Sequence, residues 1–145
     1  MSEQGLETIE TTTQKTHKWS ARIAESMRME KHDAWKSLRS VLRTLRDRLP
    51  RDLGVHFGAQ LPMLVRGLYY EAWEPSKVPI KMSCEEFRAV VQSRIIADRV
   101  FDPVETVQNV LAVVVNHLGN GEMQKIMDAL PRDMQSFFPA LASAA

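Results

Sequence analysis

Hydrophobic positions recur at three- and four-residue spacing over most of the chain, with polar residues between them. Leu38, Val41, Leu42, Leu45 and Leu49 share one face of a predicted helix. Val107, Val110, Leu111, Val114 and Leu118 repeat the pattern, as do Phe87, Val90, Val91 and Ile95. Strand signals are scarce: the β-branched run Val113 to Val115 falls inside a helical period. Prolines supply the punctuation. Pro50, Pro62, Pro103 and Pro131 each follow one apolar pattern and open another, since proline is tolerated where a helix begins. Asp102 reads as an N-cap, Ser83 with Glu86 as a capping box, and Gly119-Asn120-Gly121 as a helix stop. Trp73 to Ser83, with two prolines, reads as a linker.

The two sides of that linker resemble each other. A shift of 69 residues lays Val41-Leu42 on Val110-Leu111, Leu49 on Leu118 and Leu61-Pro62 on Leu130-Pro131. The same shift lays Val65, Leu68 and Tyr69 on Met134, Phe137 and Phe138. A shift of 68 lays Trp19, Ile23 and Met27 on Phe87, Val91 and Ile95. The expected fold is therefore all-α. About eight helices form two similar four-helix units, related by internal pseudo-symmetry, that bury their apolar faces together. Residues 1–14 read as a mobile tail and 15–139 as one domain. Within it the first unit covers 15–73, the linker 74–83 and the second unit 84–139, and residues 140–145 form a C-terminal tail.

Composition sets bounds on this picture. The 145 residues, 44% hydrophobic, suffice for one packed domain without a metal or disulfide. No run approaches the roughly 20 apolar residues of a membrane span, and the polar opening segment is not expected to be a signal peptide. The net charge is +1, but it is unevenly spread. Arg28 to Arg51 holds eight basic residues against three acids, whereas Asp102 to the C-terminus holds two against five. Cys84 is the single cysteine, which suits a reducing cytoplasm. Its place at a helix start would lower its pKa somewhat. Glycine-rich phosphate loops, nucleophile elbows and metal-spaced His or Cys clusters are absent from the sequence. No metal, cofactor or catalytic residue is expected.

Two constellations stand out. Arg39, Arg43 and Arg46 lie at i, i+4 and i+7 on one helix face, with Lys36 a turn earlier. They suit an anion site, for phosphate, a nucleic-acid backbone or an acidic partner. They equally suit a solvated face, or pairing with carboxylates and helix C-termini elsewhere. Met63, Arg66, Tyr70 and Trp73 crowd the helix after Pro62 and its exit. These residue types are enriched in interfaces, but the rings would also serve to close the core. Gln60, just before Leu61-Pro62, is expected to cap that helix.

The segments LRSVLRTLRDRLP (38–50) and GAQLPMLVRGLYYEAW (58–73) resemble two motifs of the bacterial domain-of-unknown-function family 2267. The second half, with Leu130-Pro131, resembles that family's C-terminal half, so the likeness runs from Trp19 to Pro139. It implies an all-helical domain of two related units in bacterial cytoplasmic proteins, and no established activity. The expected function is a non-catalytic interaction or regulatory module that binds a protein partner or a second copy through Met63, Arg66, Tyr70 and Trp73. Nucleic-acid or polyanion binding by the Lys36, Arg39, Arg43 and Arg46 face is the first alternative. A small ligand between the units is the second. No membrane partner is expected.

Overall fold

The computed structural model describes residues 3–139, and their side chains from Gly5 onward. It is all-α, with no strand among the described residues. The elements in order are α1 (Glu3–Met27), α2 (Lys31–Arg48), α3 (Arg51–Ala59), α4 (Met63–Tyr70), α5 (Cys84–Ser93), α6 (Pro103–Leu118) and α7 (Asn120–Asp128). Short 3-10 helices cover Pro75–Lys77 and Arg132–Phe137. None of these helices is long and apolar enough to cross a membrane.

Helix α2 is the hub. It packs against α1, α4, α5 and α6. Its leucine stripe (Leu38, Leu42, Leu45) and Val41 are fully enclosed, as are Val107, Val110, Leu111 and Val114 of α6. Because α2 is covered on several sides, Ser37, Ser40 and Thr44 are buried as well. Buried hydroxyls need partners. Ser37 and Thr44 donate to the carbonyls of Asp33 and Ser40 within the helix, and Ser40 donates across to Val91 O at 2.7 Å.

The proline punctuation holds, with one change of register. Pro103 occupies the first turn of α6, and the Asp102 carboxylate accepts from Val104 N–H. Pro50, Pro62 and Pro131 instead sit one position earlier, as extended residues just before their helices, with φ between −54° and −56° and ψ between 147° and 149°. The Ser83/Glu86 capping box forms as expected. Gly119 ends α6 at φ +89°, a conformation that favours glycine. Asn120 and Gly121, expected to belong to that stop, begin α7 instead.

Two expectations are corrected. Residues 3–14, read as tail, are helical and continue α1. They are also engaged: the Thr12 hydroxyl accepts from Leu64 N–H at 2.9 Å, capping α4 from another helix. Gln60, expected to do that capping, is exposed and closes α3 through its backbone. Residues 1–2 and 140–145 of the expected tails lie outside the described residues.

Helix α3 is held by the two adjacent tyrosines of α4. Tyr69 is fully buried and donates to Gly54 O at 2.7 Å; Tyr70 is half-buried and donates to Val55 O at 3.0 Å. The approach requires small residues on α3. A methyl at Gly58 would overlap the Tyr70 phenol and lie 2.7 Å from Tyr69 Cε1. Gly58→Ala would gain about 1 kcal/mol of helix propensity, yet overpacking against a ring that cannot give costs about 1–3 kcal/mol. We expect net destabilisation, read as a lower urea midpoint. An unchanged or raised midpoint would mean that the rings do not wedge α3.

Candidate functional site

A concavity lined mostly by charged side chains lies at the C-terminal end of α2. Its volume is about 440 Å³. Arg39, Ser40, Arg43, Arg46 and Asp47 of α2 form one wall. Glu71, Ala72, Glu74, Lys77 and Ile80, from the segment after α4, form a second, and Arg94 at the end of α5 completes it. Five cationic side chains therefore face three carboxylates.

The cations are not equivalent. Arg46 is buried, and its guanidinium is engaged through Nη1 and Nε. Nη1 donates to the carbonyls of Tyr69 and Glu71, both at 2.7 Å, and Nε to the Asp47 carboxylate at 3.0 Å. Those carbonyls belong to the last turn of α4 and the residue beyond it, where no intrahelical donor remains. Arg43 does the same at one remove, with Nε donating to Leu68 O and Nη2 to the Glu71 carboxylate at 3.1 Å. Together they fasten a sharp reversal in which Ala72 takes a left-handed conformation, φ 62°. Arg94 donates to Asp47 Oδ2 at 3.0 Å and to the Thr44 hydroxyl. Lys77 pairs with Glu74 at 2.8 Å. The linker is anchored alongside, with Ile80 N–H donating to Asp47 O. Arg39 makes neither a hydrogen bond nor an ion pair among the described residues, although it is half-buried on the cleft wall.

Charge crowds this corner. The pKa of Arg43 is lowered, first by burial, and the neighbouring Arg39, Arg46 and Arg94 lower it further against the opposing pull of Glu71. Guanidinium stays protonated regardless.

Of the four basic residues singled out by spacing, three meet here: Arg39, Arg43 and Arg46. Lys36 does not. Its ammonium is bound to the Ile96 carbonyl, with Asp33 at 4.0 Å. Arg94 is the member that spacing missed. It lies 48 residues beyond Arg46 in the sequence, and only the packing of α5 on α2 delivers it.

The aromatic quartet is dispersed. The Tyr70 and Trp73 rings lie 5.6 Å apart, with Trp73 half-buried above Gly54 and its indole N–H without a protein partner. Arg66 reaches back to the carbonyls of Ala59 and Leu61 at the α3–α4 turn. Met63 is 56% exposed and lies on another surface, where with Leu64 it borders Trp35 and Leu68 in a shallow apolar groove. Cys84 is half-buried, and burial, aided by Asp133, pushes its thiol pKa up rather than down. Among the described residues no three His, Cys, Asp or Glu side chains converge as a metal site would require.

Fold and site together describe a small all-helical protein with an arginine-lined cleft built on the end of its central helix. Residues 16–137 match the family described as "Uncharacterized conserved protein (DUF2267)", and the chain belongs to that family. No curated protein matches it.

Two arginines of the cleft make opposite predictions. Arg46→Ala would take one of its two cations from Asp47 and the side-chain donor from the Tyr69 and Glu71 carbonyls, which costs about 3–5 kcal/mol for a broken buried pair. Arg39→Ala removes no bond and should stay within about 0.5 kcal/mol of the parent. Guanidinium-chloride unfolding of both variants checks this, and equal effects would contradict the division of roles.

Proposed function

We propose that the protein is an anion-binding module whose site is the cleft between α2, the segment after α4 and the end of α5. The observation that carries this reading is Arg39, a cation left unpaired in a concavity already crowded with positive charge. Arg43, Arg46 and Arg94 have structural partners that account for their presence. Arg39 has none, and a desolvated guanidinium facing other guanidiniums is unfavourable until an anion arrives. The anion reading was the alternative on the sequence alone. It gains ground here because Tyr70 and Trp73 are spent on α3 and on each other.

The test is the unfolding temperature of the protein with pyrophosphate and, separately, with a single-stranded oligothymidylate, each against chloride at matched ionic strength. A ligand at 100 times its Kd stabilises by about 2.7 kcal/mol. A rise with either probe that disappears in Arg39→Ala is the expected result. No rise with either overturns the reading.

A protein-interaction role remains the second reading, on a different surface from the one expected. It rests on Met63 and Leu64, 56% and 45% exposed beside Trp35. If this patch joins two copies, sedimentation at rising concentration will show a dimer that Leu64→Glu abolishes. A monomer at every concentration removes self-association.

The two-unit architecture is also part of this proposal. Its support lies in matched detail at the predicted shift. α3 and α7, and α4 and the Arg132–Phe137 helix, begin 69 residues apart. Gln60 and Ala129 close their helices at φ −84°, ψ −13° and φ −86°, ψ −6°, followed in each case by the Leu-Pro step. α1 packs on α2 and α6, α5 packs on α6 and α2, and like meets like where α2 touches α6 and α3 touches α7. That is the pattern of an approximate two-fold axis. The proposed compartment is the bacterial cytoplasm, in keeping with a single unpaired cysteine.

A further inference from the structure

Resting on the anion-binding reading, we infer that the ligand is a compact phosphate-bearing molecule, not a nucleic-acid chain, and that it binds by taking the place of the Glu71 carboxylate beside Arg43 and Arg39. Four observations lead there.

The first is charge balance. Asp47 is shared between Arg46 and Arg94, Glu71 faces Arg43, and Glu74 faces Lys77. Two positive charges are left over. A phosphomonoester carries about −1.5 to −2 at neutral pH, which matches that surplus, whereas a single carboxylate would not.

The second is size. A concavity of about 440 Å³ holds a phosphate and a small organic body. It falls at the lower end of the range of about 300–1,000 Å³ for small-molecule sites.

The third is the rim. A nucleic-acid backbone presents a charge every ~1.7 Å of duplex axis and needs a row of free cations to run along. Here the row is broken. Lys36 is tied to Ile96 O, and the exposed Glu71 and Glu74 line the cleft itself.

The fourth is the weakness of the pair to be opened. The Glu71 side chain is 74% exposed, and ion pairs so exposed are weak. Its departure frees Nη2 of Arg43 while Nε stays on Leu68 O, so the reversal after α4 is kept.

Calorimetric titration of the full chain with pyrophosphate, and with oligothymidylates of increasing length, tests this. Pyrophosphate should bind with a shallow salt dependence. Arg39→Ala should weaken it by at least about tenfold, the loss of one charge-assisted hydrogen bond. Glu71→Gln should strengthen it by about two- to fivefold, because a competing carboxylate is gone. Circular dichroism confirms that both variants remain folded. If Glu71→Gln weakens pyrophosphate binding, the displacement is wrong. If only oligothymidylate binds, with affinity and salt slope growing with length, this inference falls while the anion-binding reading stands. If neither probe binds, both fall.

Discussion

The end of α4 leaves carbonyls that no helical N–H can reach, and the chain must turn back sharply at that point. Arg43 and Arg46 meet both needs. They send three N–H bonds into Leu68 O, Tyr69 O and Glu71 O from the flank of α2. Cations are favoured at a helix C-terminus by the dipole, and guanidinium, with five donors in a fixed fork, bridges two carbonyls where lysine offers a point charge. The rest of the corner follows. A guanidinium this buried requires a carboxylate, supplied by Asp47; that carboxylate, itself nearly buried, takes a second cation in Arg94. Arg94 in turn fastens the end of α5 to α2. A polar network of this kind is costly to break in part, so it registers α4, α5 and the linker on one helix.

The same constraint explains why charge accumulates at one end of α2. Each arginine that caps or bridges does so from a face already close to the others, and the available carboxylates are fewer than the cations. Burial is the first cause of the lowered pKa of Arg43, and the neighbouring guanidiniums add to it. Away from this corner, several junctions rest on neutral contacts: the tyrosine hydroxyls on α3, Ser40 on Val91 O, and Thr12 on Leu64 N–H.

The helices, their caps and most of the core were legible in the sequence, because these are local. Periodicity sets which face is buried, and a serine three residues before a glutamate caps whatever helix follows. Of the 22 positions that the two shifts pair between Trp19 and Phe138, all but Ile95, Leu118 and Pro131 are buried. What was not legible depends on tertiary approach. Thr12 caps α4 from 52 residues away, and no feature of residues 3–14 by themselves announces it; their low apolar content reads as tail because a helix lying over the surface needs little. Arg94 carries no local sign that it will meet Asp47. Pairing of arginines with helix C-termini was one of the open alternatives, and it holds for Arg43 and Arg46 because both sit on the side of α2 that α4 covers. Tyr70 and Trp73 carried an interface signal by residue type alone. The glycines at 54 and 58, four residues apart, were the clue that α3 would take those rings instead.

Arg39 separates a structural account of the cleft from a functional one. A face of arginines is explained without function if each caps a helix or neutralises a carboxylate, and three of the four do. The fourth lies one turn before Arg43, on the same wall, with no acceptor. Arg39 makes no hydrogen bond or ion pair that folding would lose, and it stands among like charges. A charged position without a structural return is where a sequence under more than one demand is expected to differ from one selected for folding alone. On the proposed reading, the scaffold charges would draw an anion toward the cleft, and Arg39 would be the donor that holds it.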